Sequence, residues 1–107
     1  MASQALATQK FSVDAAGRRH ILDGDSRGGG HRFGAGKGRS EFPQTWSDDT
    51  IIDAIEDVAN DPASPQVPAK GGRIMLYGTR NGVLIIVIVD PVTGELVTGY
   101  PKWTGRP

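Results

Sequence analysis

The chain has no cysteine among its 107 residues. Disulfides and thiolate metal sites are therefore excluded, and the fold must hold by packing alone, indifferent to redox compartment. Long apolar runs are also missing. The longest, VLIIVIV at positions 83–89, falls far short of the roughly 20 residues that a membrane-spanning helix needs, so it reads as a buried strand and no membrane partner is expected. Histidine occurs only twice, and aromatic residues make up 7% of the chain. The N-terminal MASQALATQK lacks the basic start and apolar centre of a secretory signal, so export would depend on a longer parent polypeptide or a dedicated machine. A length of 107 residues suits one domain around one small core, and hence a single functional surface.

Net charge is zero, but its distribution is uneven. Residues 17–40 carry Arg18, Arg19, Arg27, Arg32, Lys37 and Arg39 against Asp23 and Asp25, a balance of +4. Residues 41–61 carry Glu41, Asp48, Asp49, Asp53, Glu56, Asp57 and Asp61 with no basic residue, a balance of −7. The two blocks are expected on different faces. Solvated charge would explain each alone, yet the basic block also holds both histidines and a run of glycines, which points to an anionic ligand such as phosphate or nucleic acid.

Three parts follow from pattern. Residues 1–16 are expected to form a short helix through Ala5, Leu6, Phe11 and Val13, ended by Gly17. The glycine-rich block of 17–40 comes next, then a helix over 46–60, where Ser47 is the natural N-cap, Asp48 and Asp49 suit the helix dipole, and Ile51, Ile52, Ile55, Val58 and Ala59 recur at helical spacing. Pro62 and the prolines after it stop that helix. Segments 73–78, 82–90 and 95–101 read as a three-stranded antiparallel meander joined by GTRNG and DPVTG turns. The middle strand is apolar on both faces, which predicts the 46–60 helix against one face and part of the 1–40 region against the other. The expected fold is α+β: an N-terminal helix and loop region, then a helix packed on a small antiparallel meander.

Two histidines are the minimum set for concerted acid and base catalysis near neutral pH, because one can be neutral while the other is protonated. His20 and His31 form such a pair, and the GGG before His31 lets backbone amides approach a phosphate. On the last strand, alternation predicts Leu96, Thr98 and Tyr100 on one face, with Val97 and Gly99 on the other and the space opposite open at Gly99. Competing motifs fail on spacing. A P-loop ending at Lys37 would need glycine at His31 and a hydroxyl at Gly38. A zinc site would have to crowd His20, His31, Asp23 and Asp25 into one short loop, and no G-x-S-x-G elbow is present.

HILDGDSRGGGHRFG, then FPQTWSDDTIIDAIEDVANDP, then a β-rich tail ending in VTGYP, together resemble the bacterial EndoU-type ribonuclease domain at the C-termini of polymorphic and contact-dependent toxins, over residues 18–101. The resemblance implies metal-independent endonucleolytic cleavage of RNA, often tRNA, by attack of the ribose 2′-hydroxyl on the adjacent phosphate. The products would be 2′,3′-cyclic phosphate and 5′-hydroxyl ends, formed without a cofactor. It implies His20, His31, Thr98 and Tyr100 as catalytic residues. Gly29, Gly30, Arg32, Lys37, Arg39 and Lys70 are the candidate substrate-binding residues, and Lys37, Lys70 or neither is the counterpart of the catalytic lysine of eukaryotic and viral relatives. Which histidine is base and which acid stays open. The resemblance also implies a cognate immunity protein as partner, and delivery as the C-terminal part of a larger toxin that acts in the target-cell cytoplasm.

A rival reading is a non-catalytic RNA-binding or protein-interaction module. Against it, Phe33, Phe42 and Trp46 are scattered rather than set on one strand face, so an aromatic platform for single strands is not expected. A toxin that transfers a group to a nucleotide or protein is a further alternative.

Overall fold

The computed structural model describes residues 10–102. Their fold is α+β: helix α1 (Ala15–Leu22), helix α2 (Asp48–Asn60), then strands β1 (Gln66–Pro68), β2 (Ile74–Arg80), β3 (Val83–Asp90) and β4 (Glu95–Pro101). The strands form one antiparallel sheet in the order β1-β2-β3-β4.

Helix α2 starts where Ser47 accepts a hydrogen bond from the Thr50 amide, with Asp48 and Asp49 at the positive end of its dipole. Its buried stripe is the one read from spacing: Ile51, Ile52, Ile55, Val58 and Ala59. These side chains join Leu76, Ile85, Val87, Val89 and Leu96 from one face of the sheet in a single core. The C-terminal end is closed by the buried Ser64, whose hydroxyl donates to the Val58 carbonyl at 2.8 Å. Pro62 ends the helix, and Ser64 satisfies one of its last carbonyls.

The N-terminal part departs from expectation. Residues 1–9 lie outside the described residues, and the chain from Lys10 to Val13 is not helical. Asn60 of α2 clips this segment, accepting from the Phe11 amide at 2.7 Å and donating to the Phe11 carbonyl at 2.8 Å. Glu56 accepts from the Val13 amide at 2.7 Å. These long-range bonds hold Phe11 in the core, so a weak local helical preference is overridden. Gly17 does not end a helix but sits inside α1, where its amide is capped by Asp14. His20 consequently lies on a helix, in its last turn, and not on the glycine-rich loop.

The charged blocks meet, contrary to the expected separation. Arg18 pairs with Asp49 at 2.8 Å, and Arg32 bridges Asp23 and Asp48. The acidic start of α2 is the counterion for part of the basic block, since Ile21 and Leu22 of α1 and Ile51 of α2 are buried in the same core. A further departure is β1, which pairs with β2 from the proline-rich stretch that had read only as a break.

On β4, Leu96 pairs with Val89 and Thr98 with Ile88, so Val97 is the extra residue of a β-bulge. The bulge turns Leu96 into the core, with Gly99 and Pro101, while Thr98 and Tyr100 face the other way. The expected sharing of a face by Leu96 with Thr98 and Tyr100 therefore fails. Nor is the space opposite Gly99 open: a Cβ there would lie 2.8 Å from Ile55 carbons, so α2 fills it.

Candidate active site

The C-terminal end of α1 organises the site. A helix leaves its last carbonyls without intrahelical partners. Here the returning chain supplies them: the Gly30, His31 and Arg32 amides donate to the His20, Ile21 and Leu22 carbonyls at 3.0, 2.7 and 3.1 Å. This approach is open only to glycine at position 29. Its φ is +81°, and a Cβ would sit 2.0 Å from the His20 carbonyl oxygen. Three consecutive hydrogen bonds thus tie the backbone of His31 to the helix that carries His20.

The two imidazoles have different partners. His20 Nδ1 lies 3.0 Å from Asp25 Oδ1, an oxygen that also accepts from the Arg27 amide at 2.9 Å. The hydrogen bond from His20, and then that from Arg27, hold the Asp25 carboxyl below its ordinary value, so it stays charged beside the ring. His31 Nδ1 lies 2.7 Å from the Ser40 carbonyl oxygen, which can only accept, so Nδ1 carries the proton and Nε2 keeps a lone pair. Burial pushes the His31 imidazole below its ordinary value, and the charges of Arg39 and His20 add to this against the opposing pull of the Ser40 carbonyl. The ring is neutral at physiological pH.

His31 also stacks on Tyr100, with ring centroids 5.5 Å apart and planes at 27°. That contact joins the loop to the edge strand β4. His20, His31, Thr98 and Tyr100 line one open cleft of about 380 Å³, with Gly28, Gly29, Arg27, Arg39 and Ser40 completing its wall. Arg39 lies across Gly28, where a Cβ would come within 3.2 Å of its guanidinium.

Of the candidate residues, the four named as catalytic and two named for substrate, Gly29 and Arg39, come together in this cleft. The others do not line it. Gly30 is buried beneath the Lys37 side chain, whose Cγ would lie 2.5 Å from a Cβ at position 30. Arg32 is engaged with Asp23 and Asp48. Lys37 sits on the loop outside the cleft wall, and Lys70 lies exposed in a 3-10 turn (Lys70–Gly72) between β1 and β2. Asp25, Arg27, Gly28 and Ser40 were missed. A carboxylate five residues after His20 was a visible signal for a histidine partner; the Ser40 carbonyl had none, since any residue supplies one. No group of three or more His, Cys, Asp or Glu that could hold a metal ion occurs among the described residues. Of the four side chains a zinc site would have used, Asp23 is paired with Arg32 and Asp25 with His20.

Two imidazoles in different hydrogen-bonding states, hydroxyls and guanidinium groups around one cleft, on an α+β scaffold, are groups that can exchange protons and bind an anion. The family model of the bacterial EndoU nuclease matches residues 34–102, and the chain belongs to that family. It is accordingly an endoribonuclease, with RNA as its substrate. The matched span contains α2, the whole sheet and the Thr98–Tyr100 pair, and begins just after His31. Neither the comparison with curated proteins nor that with solved structures gives a match.

Proposed function

We propose that this chain cleaves RNA without a metal by transfer of the phosphoryl group to the neighbouring 2′-oxygen, and that it serves as the toxic domain of a larger bacterial polypeptide. The observation that carries the reading is the contrast between the two imidazoles on one cleft. His31, neutral and with Nε2 free to accept, is the base that takes the proton of the 2′-hydroxyl. His20, backed by the Asp25 carboxylate, is the acid. As the 2′-oxygen bonds to phosphorus and the bond to the 5′-oxygen breaks, His20 gives its Nε2 proton to that leaving oxygen. The Thr98 and Tyr100 hydroxyls and Arg39 stabilise the charge on the phosphoryl oxygens. The products are a 2′,3′-cyclic phosphate and a 5′-hydroxyl.

The test is incubation with total RNA in EDTA, followed by mapping of both ends. Cyclic phosphate and 5′-hydroxyl ends are the expected result; 3′-hydroxyl ends, or activity restored only by added metal, would overturn the chemistry. Sequencing the same ends after brief expression in a sensitive host identifies the target, for which tRNA is our first expectation.

A toxin of this kind acts in the target-cell cytoplasm, and a cell that makes it needs an inhibitor. The basic rim of the cleft, Arg27 and Arg39, suits an immunity protein with an acidic patch that blocks RNA entry. Co-expression that leaves growth arrest unrelieved, or gel filtration without a complex, counts against that partner.

A further inference from the structure

The sheet has a second apolar face. Cross-strand register sets Tyr77, Ile86 and Tyr100 in one row over β2, β3 and β4, and Val67, Met75, Ile88 and Thr98 in the adjoining row over all four strands. Alternation puts both rows opposite α2. None of Met75, Tyr77, Ile86 or Ile88 belongs to the core cluster or packs against it; Ile86 is buried between its cross-strand neighbours, Met75, Tyr77 and Ile88 are half-buried, and Val67 is 36% exposed. Antiparallel sheets with one solvated face normally alternate apolar and polar residues. This one does not, so the outer face is built for an occupant.

The geometry points to that occupant: we propose that the outer face is a stacking platform for unpaired bases flanking the scissile phosphate, with Tyr77 as its distal aromatic. The proposal rests on the reading of the cleft as an RNA phosphodiester site. Tyr100 belongs at once to the cleft and to the Tyr77 row, so the platform is continuous with the site where the phosphate sits. Tyr77 lies two strands away, roughly 10 Å, which is within reach of a neighbouring nucleotide. No carboxylate stands in either row, and the ladder continues past Tyr100 to Lys102, whose amide donates to the Leu84 carbonyl at 2.8 Å. An aromatic and aliphatic surface with a cation at its Tyr100 end, the carboxylates of the Asp90–Glu95 pair lying only beyond its far row, fits bases on a polyanionic strand. An aromatic platform thus exists after all: it is made by the two tyrosines and not by Phe33, Phe42 or Trp46.

The test is an abasic scan. End-labelled single-stranded oligonucleotides with a 2′-deoxy sugar at the cleavage site, so that they bind without being cut, are titrated by fluorescence anisotropy with the wild type and with Tyr77→Ala, Tyr77→Phe and Tyr77→Trp. At one position beside the cleavage site, loss of the base should weaken binding to the wild type about tenfold and leave Tyr77→Ala unaffected. Phe and Trp should retain the wild-type pattern, which separates stacking from loss of fold. Equal abasic profiles for wild type and Tyr77→Ala overturn the proposal and leave the face to a protein partner. Because the readout is binding, a wild type that binds with this profile yet cuts no RNA keeps the platform and rejects only the catalytic reading.

Discussion

The imidazole of His31 lies stacked on the ring of Tyr100, 5.5 Å between centroids. This contact spans 69 residues of sequence and is what turns a glycine-rich loop into one wall of a cleft. Tyr100 therefore has two separable parts, a ring that stacks on His31 and a hydroxyl carried by a residue of the cleft wall. Tyr100→Phe should keep the fold and the stack and lower kcat, whereas Tyr100→Ala should in addition perturb the His31 ring resonances in an NMR spectrum. Identical effects of the two substitutions on those resonances would deny the stacking role.

Removal of either imidazole should lower kcat/KM for RNA by at least ~10²-fold, the usual scale for a positioned acid or base. The variants are His20→Ala and His31→Ala, read by gel cleavage of a labelled RNA. Wild-type rates in either one exclude that residue from the chemistry. Asp25→Asn should reduce kcat at least about tenfold with KM little changed, since the amide still fills the space but loses the charge that orients His20.

Acid should weaken this protein through His31. Its folded-state value lies below the 6.5 of the unfolded chain because burial disfavours the charged ring. Between the two values the unfolded chain binds the proton and the folded chain does not, so stability falls as pH drops below 6.5 and levels off beneath the folded value. Asp25 acts lower: its stabilising charge is complete above 3.8 and is lost as pH falls through its depressed folded value. Urea denaturation over this range should show the first decline in the wild type and a smaller one in His31→Gln. The acid limb of kcat/KM should likewise lie below pH 6.5, where the base becomes protonated.

Two glycines are required because a Cβ would clash, at one with a side chain and at the other with backbone. Gly99→Ala pushes a methyl to 2.8 Å from Ile55 carbons and should cost about 1–3 kcal/mol, with Ile55→Val recovering part of the loss. Gly29→Ala meets the His20 carbonyl itself and has a positive φ, so relief would require parting the loop from α1. Its melting temperature should fall further than that of Gly99→Ala, and no small cavity elsewhere should rescue it.

Much of this protein is set by local sequence. Ser47 with its acidic followers starts α2, the isoleucine stripe aims that helix at a sheet, and the turns between β-branched runs make a meander, because capping, periodicity and turn chemistry all act within a few residues. The histidines, Thr98 and Tyr100 were legible as chemistry for the same reason: residue type and alternation are local. What only the tertiary structure decided is which groups meet. The bulge at Val97 reversed the face assigned to Leu96, Asn60 held the Phe11 backbone, and ion pairs from Arg18 and Arg32 joined charge blocks that had read as separate faces. Arg32 read as a phosphate ligand by charge alone, yet the fold pairs it with Asp23 and Asp48, while Lys37 and Lys70 lie outside the cleft lining. The roles of the two histidines depend on that same long-range placement, since a backbone carbonyl at Ser40 and a carboxylate at Asp25 decide which ring is neutral and which is paired with a charge.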